Sequence, residues 1–458
     1  MTEILHLKNI NKTISTRFPK IQNNYILESS IENTYRDRYF PVNSYDIDNF
    51  VEFRVPKSIG IFTDLSEIYL QFNFNVKKQT YSDTNGQWSL PVPTGSGDHY
   101  DVLNALGYTI FKHVTLELNG VQCVNDTNYS LNSYIKLITN FSTEKYNKQG
   151  ELLHLQHYEK NYEKHTDDTH FTGLNPNSKI AKRLTDIRDN GVHVRAPLIF
   201  DITKVNSYLL DGVEMVLRLS LHDPSMVFIT SQHNANAVNG NKKYSFSLSD
   251  ISLNIKRIKP TINALNAFNS TLLRNSNVIQ NINYPFTSHL TKQYHIPSGV
   301  NNYIIDLPFS NKIPEKNYII FQKYSTYNTR DYKTNGLYLD NLNLNNILIT
   351  INSATIYNID CDFSTKNVAE LYDTTLKAIN NDNHLLDYDS FLEGMTLLGF
   401  NLTNYDEIAN IRSPRYGVMR ISLTFKTDLP EGAVIYLIGD SLAFLSVNDM
   451  REIILNKN

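Results

Sequence analysis

The chain has few of the residues that cross-link a secreted protein or anchor one in a membrane. Its only cysteines, Cys123 and Cys361, lie in opposite halves of the 458 residues. Two thiols cannot form a disulfide framework, which fits a reducing compartment. The N-terminus lacks the apolar stretch of a signal peptide, and the longest apolar run, 432–447, is short for a membrane span and contains Asp440. We therefore expect synthesis in the cytosol or nucleus, without secretion or membrane insertion.

A basic face or tail is also missing. The chain has 43 basic and 46 acidic residues, a net charge of −3, and dense basic runs such as Lys256-Arg257-Ile258-Lys259 span three or four residues. Proteins that coat nucleic acid directly usually carry an extended basic surface. The composition therefore predicts no direct binding of a genome, and no sequence-specific binding of nucleic acid.

The residues that are abundant favour β-structure. The chain has 29 Tyr and 22 Phe against 18 Gly, 6 Met and 1 Trp. Tyrosine and phenylalanine suit pleated, half-buried surfaces. A length of 458 residues is too great for one ordinary domain, so two are expected.

Apolar residues alternate along much of the chain, as in strands with one buried face. The clearest runs are Ile68–Val76, Val114–Leu118, Val213–Leu221, Ile347–Ile351 and Met419–Phe425. Asn119-Gly120 is a strong hairpin signal. Helical spacing at 130–139 predicts one short helix, and a second is expected at 146–160.

The pattern of strands and polar excursions occurs twice, near Phe53-Arg54-Val55-Pro56 and near Tyr294-His295-Ile296-Pro297. Roughly eight short strands in each half are typical of a jelly roll. The sequence therefore predicts an all-β chain of two tandem jelly-roll β-sandwiches, with short helices in the long loops. The expected division is an N-terminal arm (1–46), jelly roll 1 (47–259), a connector (260–290) and jelly roll 2 (291–458). The arm is either a disordered terminus or a segment that orders against a neighbouring subunit.

Several phrases resemble the double jelly-roll capsid proteins of Polinton/Maverick-type elements and adintoviruses, relatives of the adenovirus hexon. They occur in the same order over about 47–452. The phrases are Phe53-Arg54-Val55-Pro56-Lys57-Ser58, Thr63-Asp64-Leu65-Ser66-Glu67-Ile68, Val114-Thr115-Leu116-Glu117-Leu118-Asn119-Gly120, Gly212-Val213-Glu214-Met215, Gly394-Met395-Thr396-Leu397 and Leu429-Pro430-Glu431-Gly432.

The resemblance implies a homotrimer in which six jelly rolls form a pseudo-hexagonal capsomer of an icosahedral shell. Its partners would be neighbouring capsomers and penton or minor capsid proteins, and its location the virion. On this interpretation the excursions at 79–100, 141–194 and 325–336 build outer towers and lateral contacts. The alternative is a minor capsid or attachment protein that binds a receptor glycan, and a third hypothesis is a jelly-roll amidase or glycosidase.

We expect no catalytic, cofactor or metal site. The sharpest candidate is a histidine cluster with nearby aspartates: His154, His157, His165, His170, Asp167 and Asp168. His154 and His157 could share a helix face and ligate a metal. No closed ligand spacing accompanies them, so a solvated, pH-responsive loop is the preferred interpretation.

Other candidates are explained better by structure than by chemistry. The carboxylate pairs Asp64/Glu67, Asp360/Asp362 and Asp387/Asp389 are expected in turns and caps. Gly95-Ser96-Gly97 lacks the lysine and the following helix of a phosphate loop. Cys123 has no paired histidine motif, and the tyrosines between Tyr318 and Tyr332 are expected to pack in the core or an interface.

Overall fold

The computed structural model describes residues 31–43, 50–82, 87–90, 92–93, 100–141, 143–155, 187, 191–205, 207–230, 242–273, 281–327, 334–380, 384–403, 415–448 and 450–457. Sixteen long strands within these ranges form four antiparallel sheets. No helix in the described part of the chain is long and apolar enough to cross a membrane.

Eight strands from the first half form two facing sheets. They are β1 (Ile31–Tyr39), β2 (Phe50–Val55), β3 (Phe62–Ser82), β4 (Phe111–Leu118), β5 (Val121–Asp126), β6 (Val192–Pro197), β7 (Met215–Leu221) and β8 (Lys242–Pro260). The first sheet has the order β1-β8-β3-β6 and the second β2-β7-β4-β5. This alternation of successive strands between two sheets is the jelly-roll topology.

The second half repeats this arrangement strand for strand. Its strands are β9 (Ile282–Ile296), β10 (Asn302–Asp306), β11 (Lys316–Lys323), β12 (Leu344–Ile351), β13 (Ala354–Asp360), β14 (Leu397–Asn401), β15 (Met419–Phe425) and β16 (Ala433–Val447). The sheet orders are β9-β16-β11-β14 and β10-β15-β12-β13. Shorter strands at Gln87–Trp88 and Val92–Pro93 pair with β3, and one at Ile453–Lys457 pairs with β16. Two-residue and three-residue strands also form two small sheets, Tyr100–Val102 with Phe228–Thr230 and Lys312–Ile313 with Arg415–Tyr416.

Helices occupy the connections. They are α1 (Leu106–Thr109), α2 (Tyr129–Asn140), α3 (Thr143–Leu153), α4 (Pro224–Val227), α5 (Ile262–Leu273), α6 (Tyr324–Tyr327), α7 (Ala369–Ile379) and α8 (Tyr388–Leu392), with a 3₁₀ turn at Asp201–Lys204. Each roll has a three-turn helix after its fifth strand, α2 in roll 1 and α7 in roll 2. The helix predicted at 130–139 is confirmed. The one predicted at 146–160 is α3, and it begins and ends earlier.

Each roll has an apolar core between its two sheets. In roll 1, Phe72 of β3 packs edge-on against Phe111 of β4, with ring centroids 6.0 Å apart. In roll 2, Phe321 of β11 packs the same way against Phe425 of β15 at 6.1 Å. The seventh strands, β7 and β15, bury every second residue, which is what the alternating runs predict.

The strand bounds correct two parts of the predicted division. Residues 31–39, assigned to the arm, form β1, which pairs with β8 over most of its length. Residues 282–290, assigned to the connector, belong to β9. Strand β1 was missed because it is polar on both faces, and of the largely polar β9 only the end near Tyr294 was predicted. The two opening phrases are also out of phase, since Val55 ends the second strand of roll 1 and Ile296 ends the first strand of roll 2.

Candidate assembly surfaces

The two rolls meet through a buried cluster of charged side chains. The backbone N–H of His289 in β9 donates to Asp201 Oδ2 at 2.8 Å, and its Nε2 lies 3.2 Å from Asp201 Oδ1. The ring Nδ1 of His289 contacts Asp440 of β16. Lys136 of α2 places Nζ 2.6 Å from Asp201. Asp201 therefore joins the helix of roll 1 to the first strand of roll 2.

The charges in this cluster depend on one another. Burial raises the pKa of the Asp201 carboxyl, but Lys136 and His289 outweigh that effect and lower it to about 2. A buried charge that loses its partner is strongly destabilising, although the pair itself adds little net stability. A cavity of about 330 Å³ adjoins the cluster and is lined by Lys136, His289 and Asp440 among other residues. It is part of the junction between the rolls.

A second contact joins the rolls at one end, which we call the base. The base is the end that holds the β2–β3, β4–β5 and β6–β7 connections. Arg451, after β16, places Nη2 2.6 Å from Asp211 Oδ1. Asn119, in the β4–β5 turn, donates Nδ2 to the Arg451 carbonyl at 2.8 Å. The rolls therefore stand side by side with their bases at the same end.

The outer face of the β1-β8-β3-β6 sheet is polar and partly exposed. Tyr69 of β3 has the guanidinium of Arg195 4.8 Å from its ring centroid and that of Arg36 at 5.5 Å. Arg36 also pairs with Glu67 at 2.7 Å. Arg38 and Arg195 have no carboxylate within 4 Å among the described residues. This face therefore presents positive charge.

A row of hydrogen bonds fixes the polar side chains beside Tyr69. Gln71 Nε2 lies 3.0 Å from His193 Nε2, and His193 Nδ1 lies 2.7 Å from Asn73 Oδ1. Asn73 Nδ2 in turn donates to Asp250 Oδ2 at 2.8 Å. These hydrogen bonds hold the side chains of the row in fixed positions on the sheet.

On β11 and β16, the corresponding outer face of the β9-β16-β11-β14 sheet is largely apolar and buried. Its outward residues include Tyr318, Ile320, Tyr436 and Ile438, all under 8% exposed. Helix α7 lies against part of this face. A Cβ at Gly399 would lie 3.1 Å from the Cβ of Ala378, so only glycine lets the helix approach β14 this closely.

The exposed side of roll 2 around α7 carries acidic side chains, two of which are paired with lysines. Glu370 lies in the first turn of α7, and Asp373 pairs with Lys377 at 2.5 Å on its solvent side. Asp362, just before the helix, lies 2.8 Å from Lys426. Hydrogen bonds from Lys426 and Ser364 lower the pKa of Asp362 well below its usual range. Glu370 has no cation within 4 Å among the described residues, whereas Asp373 and Asp362 are each paired with a lysine.

The predicted histidine cluster is not assembled by the described residues. His154 directly follows α3, and its backbone carbonyl accepts from Ala105 N–H at 3.1 Å. His157, His165, His170, Asp167 and Asp168 lie outside the described residues. No group of three potential ligands is close enough to hold a metal in the part of the chain that the structure describes.

The other candidate residues from the sequence have structural roles where the structure describes them. Asp64 accepts from Ser66 and lies near Lys256, and Asp387 caps α8 through the Ser390 N–H at 2.7 Å. The buried thiol of Cys123 donates to the Val121 carbonyl at 3.4 Å. Tyr318 is buried and Tyr324 stacks on His295, whereas Tyr332 and Gly95-Ser96-Gly97 lie outside the described residues.

Sequence reasoning missed the junction between the rolls. Lys136, Asp201, His289 and Asp440 come from four separate elements and have no common spacing. Only Asp440 could have been recognised from the sequence. Asp440 interrupts the longest apolar run of the chain, and a lone charge in such a run is paired when it is buried.

Solved structures supply the comparison. A chain of the Sputnik virophage structure is 12% identical with a TM-score of 0.62, covering 95% of this chain and 91% of its own. The mavirus major capsid protein is 12% identical with a TM-score of 0.53, covering 95% and 92%. The Faustovirus major capsid protein is 10% identical with a TM-score of 0.53, covering 94% and 93%.

The chain has the double jelly-roll fold. This agrees with the fold class predicted from the strand count. The coverage includes both rolls and nearly the whole length of each similar chain, so the agreement is not limited to one sandwich. No protein-family model and no curated protein matches the sequence.

Proposed function

We propose that the chain is the major capsid protein of a DNA virus or virus-like transposon, assembling as trimeric capsomers into an icosahedral shell. Its role is structural, and its mechanism is interface geometry rather than catalysis. The observation that carries the proposal is the double jelly-roll fold, in which the outer sheet face of roll 1, with Arg38 and Arg195, is partly exposed while the equivalent face of roll 2 is buried on β11 and β16. The likeness over both rolls to viral major capsid proteins supports it.

The contact between rolls within one chain suggests how chains meet. In the chain, the α2 side of roll 1 covers the β9–β16 edge of roll 2. The corresponding surfaces are the α7 side of roll 2 and the outer face of the β1-β8-β3-β6 sheet of roll 1, which carries Arg38 on β1 and Arg195 on β6. Repeating the contact between chains places Glu370 and Asp373 of one copy against Arg38 and Arg195 of the next. Such a heterologous contact closes into a ring, and three chains supply six rolls.

Charge reversal tests this arrangement. The mass of the purified chain in solution should be that of three chains of 52.7 kDa, as measured by light scattering. Arg38→Glu with Arg195→Glu places like charges in the contact, so the trimer mass should be lost. Lys112→Glu, on the other sheet of roll 1, is the matched control and should leave the mass unchanged.

A second pair of substitutions distinguishes charge repulsion between chains from misfolding of the variant. Adding Glu370→Arg and Asp373→Arg to the double variant restores opposite charges and should restore the trimer mass. A wild-type chain that stays monomeric would refute the capsomer. A trimer that survives both charge reversals would refute this contact while leaving the capsomer. Electron microscopy of the same sample tests for hexagonal particles and shells.

The location follows from the same proposal. We expect the protein in the virion, with neighbouring capsomers and penton or minor capsid proteins as partners. An antibody against the chain should label purified particles in many copies, as a shell protein requires. A few copies at isolated positions would favour the minor or attachment protein instead.

A further inference from the structure

A polar cleft lies at the end of roll 2 opposite its base, between the β11–β12, β13–β14 and β15–β16 connections. Its volume is about 450 Å³, which is within the range of sites for small molecules. The side chains that line it include ammonium groups, carboxylates and amides: Lys323, Lys366, Asp340, Glu393, Asn341 and Asn343. The two ammonium groups balance the two carboxylates, so the cleft favours a ligand without net charge.

An ion pair forms one wall of the cleft. Lys323 Nζ lies 2.8 Å from Asp340 Oδ2, and Asp340 Oδ1 accepts from the Leu342 N–H at 2.6 Å. The Asp340 side chain is 9% exposed and that of Lys323 is 27% exposed. An ion pair so far removed from water adds little net stability, so stability alone does not account for it. In a binding site, the same two groups offer a ligand hydroxyl an acceptor and a donor at fixed positions.

The turn beside this pair is held in an unfavourable conformation. Leu342 and Asn343 have φ angles of 48° and 50°, in the left-handed region that a bulky residue such as leucine rarely adopts. Asn341 holds the turn, since its Oδ1 accepts from the Asn343 N–H at 2.9 Å and its Nδ2 donates to the Leu392 carbonyl at 2.9 Å. Backbone held in this way is concentrated at functional sites, including those that clamp a ligand.

Two exposed tyrosines lie beside the cleft. Tyr324 directly follows Lys323, and its backbone N–H donates to the Gly432 carbonyl in the β15–β16 connection at 2.9 Å. Tyr324 is 36% exposed and Tyr327 is 38% exposed. Both rings contact His295, with centroids 5.7 and 6.0 Å from its own. An aromatic face is apolar and electron-rich, so it can pack against the C–H face of a sugar ring.

We propose that this cleft binds a neutral oligosaccharide, with Lys323, Asp340 and Asn343 holding hydroxyl groups and Tyr324 packing against a sugar ring. Each sugar hydroxyl both donates and accepts hydrogen bonds, which matches the mixed lining of the cleft. The inference goes beyond the proposed function and does not depend on it, because every group comes from one roll of one chain.

Saturation-transfer NMR on the purified chain tests the proposal. The probes are cellotriose, maltotriose, tri-N-acetylchitotriose and lactose, each titrated to about 10 mM so that millimolar dissociation constants are measurable. At least one of them should show transfer to its ring protons. Asp340→Asn keeps an acceptor for the Leu342 N–H but removes the charge, so it should raise the dissociation constant about ten-fold. Tyr324→Leu, which removes the aromatic face, should also raise it.

Asp306→Asn is the matched control. Asp306 pairs with Arg420 at 2.5 Å, and both side chains are 55% exposed, so this change removes the same charge at a position outside the cleft. It should leave the dissociation constant unchanged. Thermal unfolding without sugar checks that each variant is folded. Transfer to none of the four sugars overturns the proposal. Equal binding by the wild type, Asp340→Asn and Tyr324→Leu also overturns it, because the sugar then binds elsewhere.

Discussion

The two rolls share a topology strand for strand but differ in the outward residues of one sheet. In roll 2, the outer face of the β9-β16-β11-β14 sheet carries Tyr318, Ile320 and Ile438, which are buried, and the cavity beside Tyr318 and Ile438 is also lined by α7 and α2. In roll 1, the corresponding face carries Gln71, Asn73 and Arg195, which remain accessible. Inward-facing residues therefore specify the sandwich, and outward-facing residues specify what lies against it.

The difference has a consequence for the strands themselves. Strand β16 is buried on both faces over its first eight residues, so its sequence is a continuous apolar run. Strand β8, which has the same position in roll 1, alternates over Tyr244-Ser245-Phe246-Ser247, because only one of its faces is in the core there. Strands at the same topological position therefore have different patterns of apolar residues, depending on whether a second layer covers their outer face.

The largest effect is expected in the sandwich cores. Leu217 of β7 is fully buried, as the alternating run predicts. Leu217→Ala should lower the free energy of unfolding by about 2–5 kcal/mol through lost burial and a cavity. Leu423→Ala, at a buried position on the equivalent strand β15, should cost a similar amount. Chemical denaturation of both variants measures this. A cost below about 1 kcal/mol for one of them would mean that the two cores are not equivalent.

Breaking the charged junction should have the next largest effect. Asp201→Ala leaves Lys136 and His289 without a shared partner and should cost about 3 kcal/mol. Unfolding followed by two probes, one in each roll, should separate into two transitions because the rolls lose their coupling. Asp373→Ala, which removes an exposed carboxylate, is the control and should change stability by about 0.5 kcal/mol or less. A single unaltered transition for Asp201→Ala would show that other contacts couple the rolls.

The sequence allowed the fold class and most of the strands to be predicted, because a strand with one buried face alternates visibly. Leu217, Ile421 and their neighbours on β7 and β15 are examples. The first strand of roll 1 was not predicted, and only the end of the first strand of roll 2 was. Strand β1 is held by ladder hydrogen bonds and by pairs such as Glu32 with Lys259, so it needs no apolar face.

The assembly surfaces could not be predicted from the sequence. Arg195 and Tyr69 stack because β6 and β3 are adjacent, although they are more than a hundred positions apart. His289 meets Asp201 only because two rolls pack together. The spacing of residues along the sequence gives no information on such contacts, since each contact depends on how the strands and helices are placed relative to one another.

A pH effect is expected from the histidine at the end of β7. Burial, assisted by the nearby Lys112, lowers the pKa of His222 to about 4. A depressed pKa means that the unfolded chain binds the proton more tightly, so His222 contributes stability above about pH 6.5 that is lost as the pH falls toward 4.

The measurement is denaturation at pH 7 and pH 5, in the wild type and in His222→Gln. Between these values the wild type should lose up to about 2 kcal/mol more than the variant. Glutamine can keep the hydrogen bond to Ser130, which is 2.9 Å in length, so the comparison isolates the titration. An equal loss in both proteins would place the acid sensitivity elsewhere.

The smallest effect on stability is expected on the outer face of roll 1. Asn73→Ala removes an accessible side chain and should change the free energy of unfolding by about 0.5 kcal/mol or less. Ile320→Ala, on the buried outer face of roll 2, should cost about 3 kcal/mol because it opens a cavity. Measuring both by denaturation tests the contrast between the two faces. If Asn73→Ala were as costly as Ile320→Ala in the isolated chain, the polar row of roll 1 would be part of the fold rather than a surface kept for a partner.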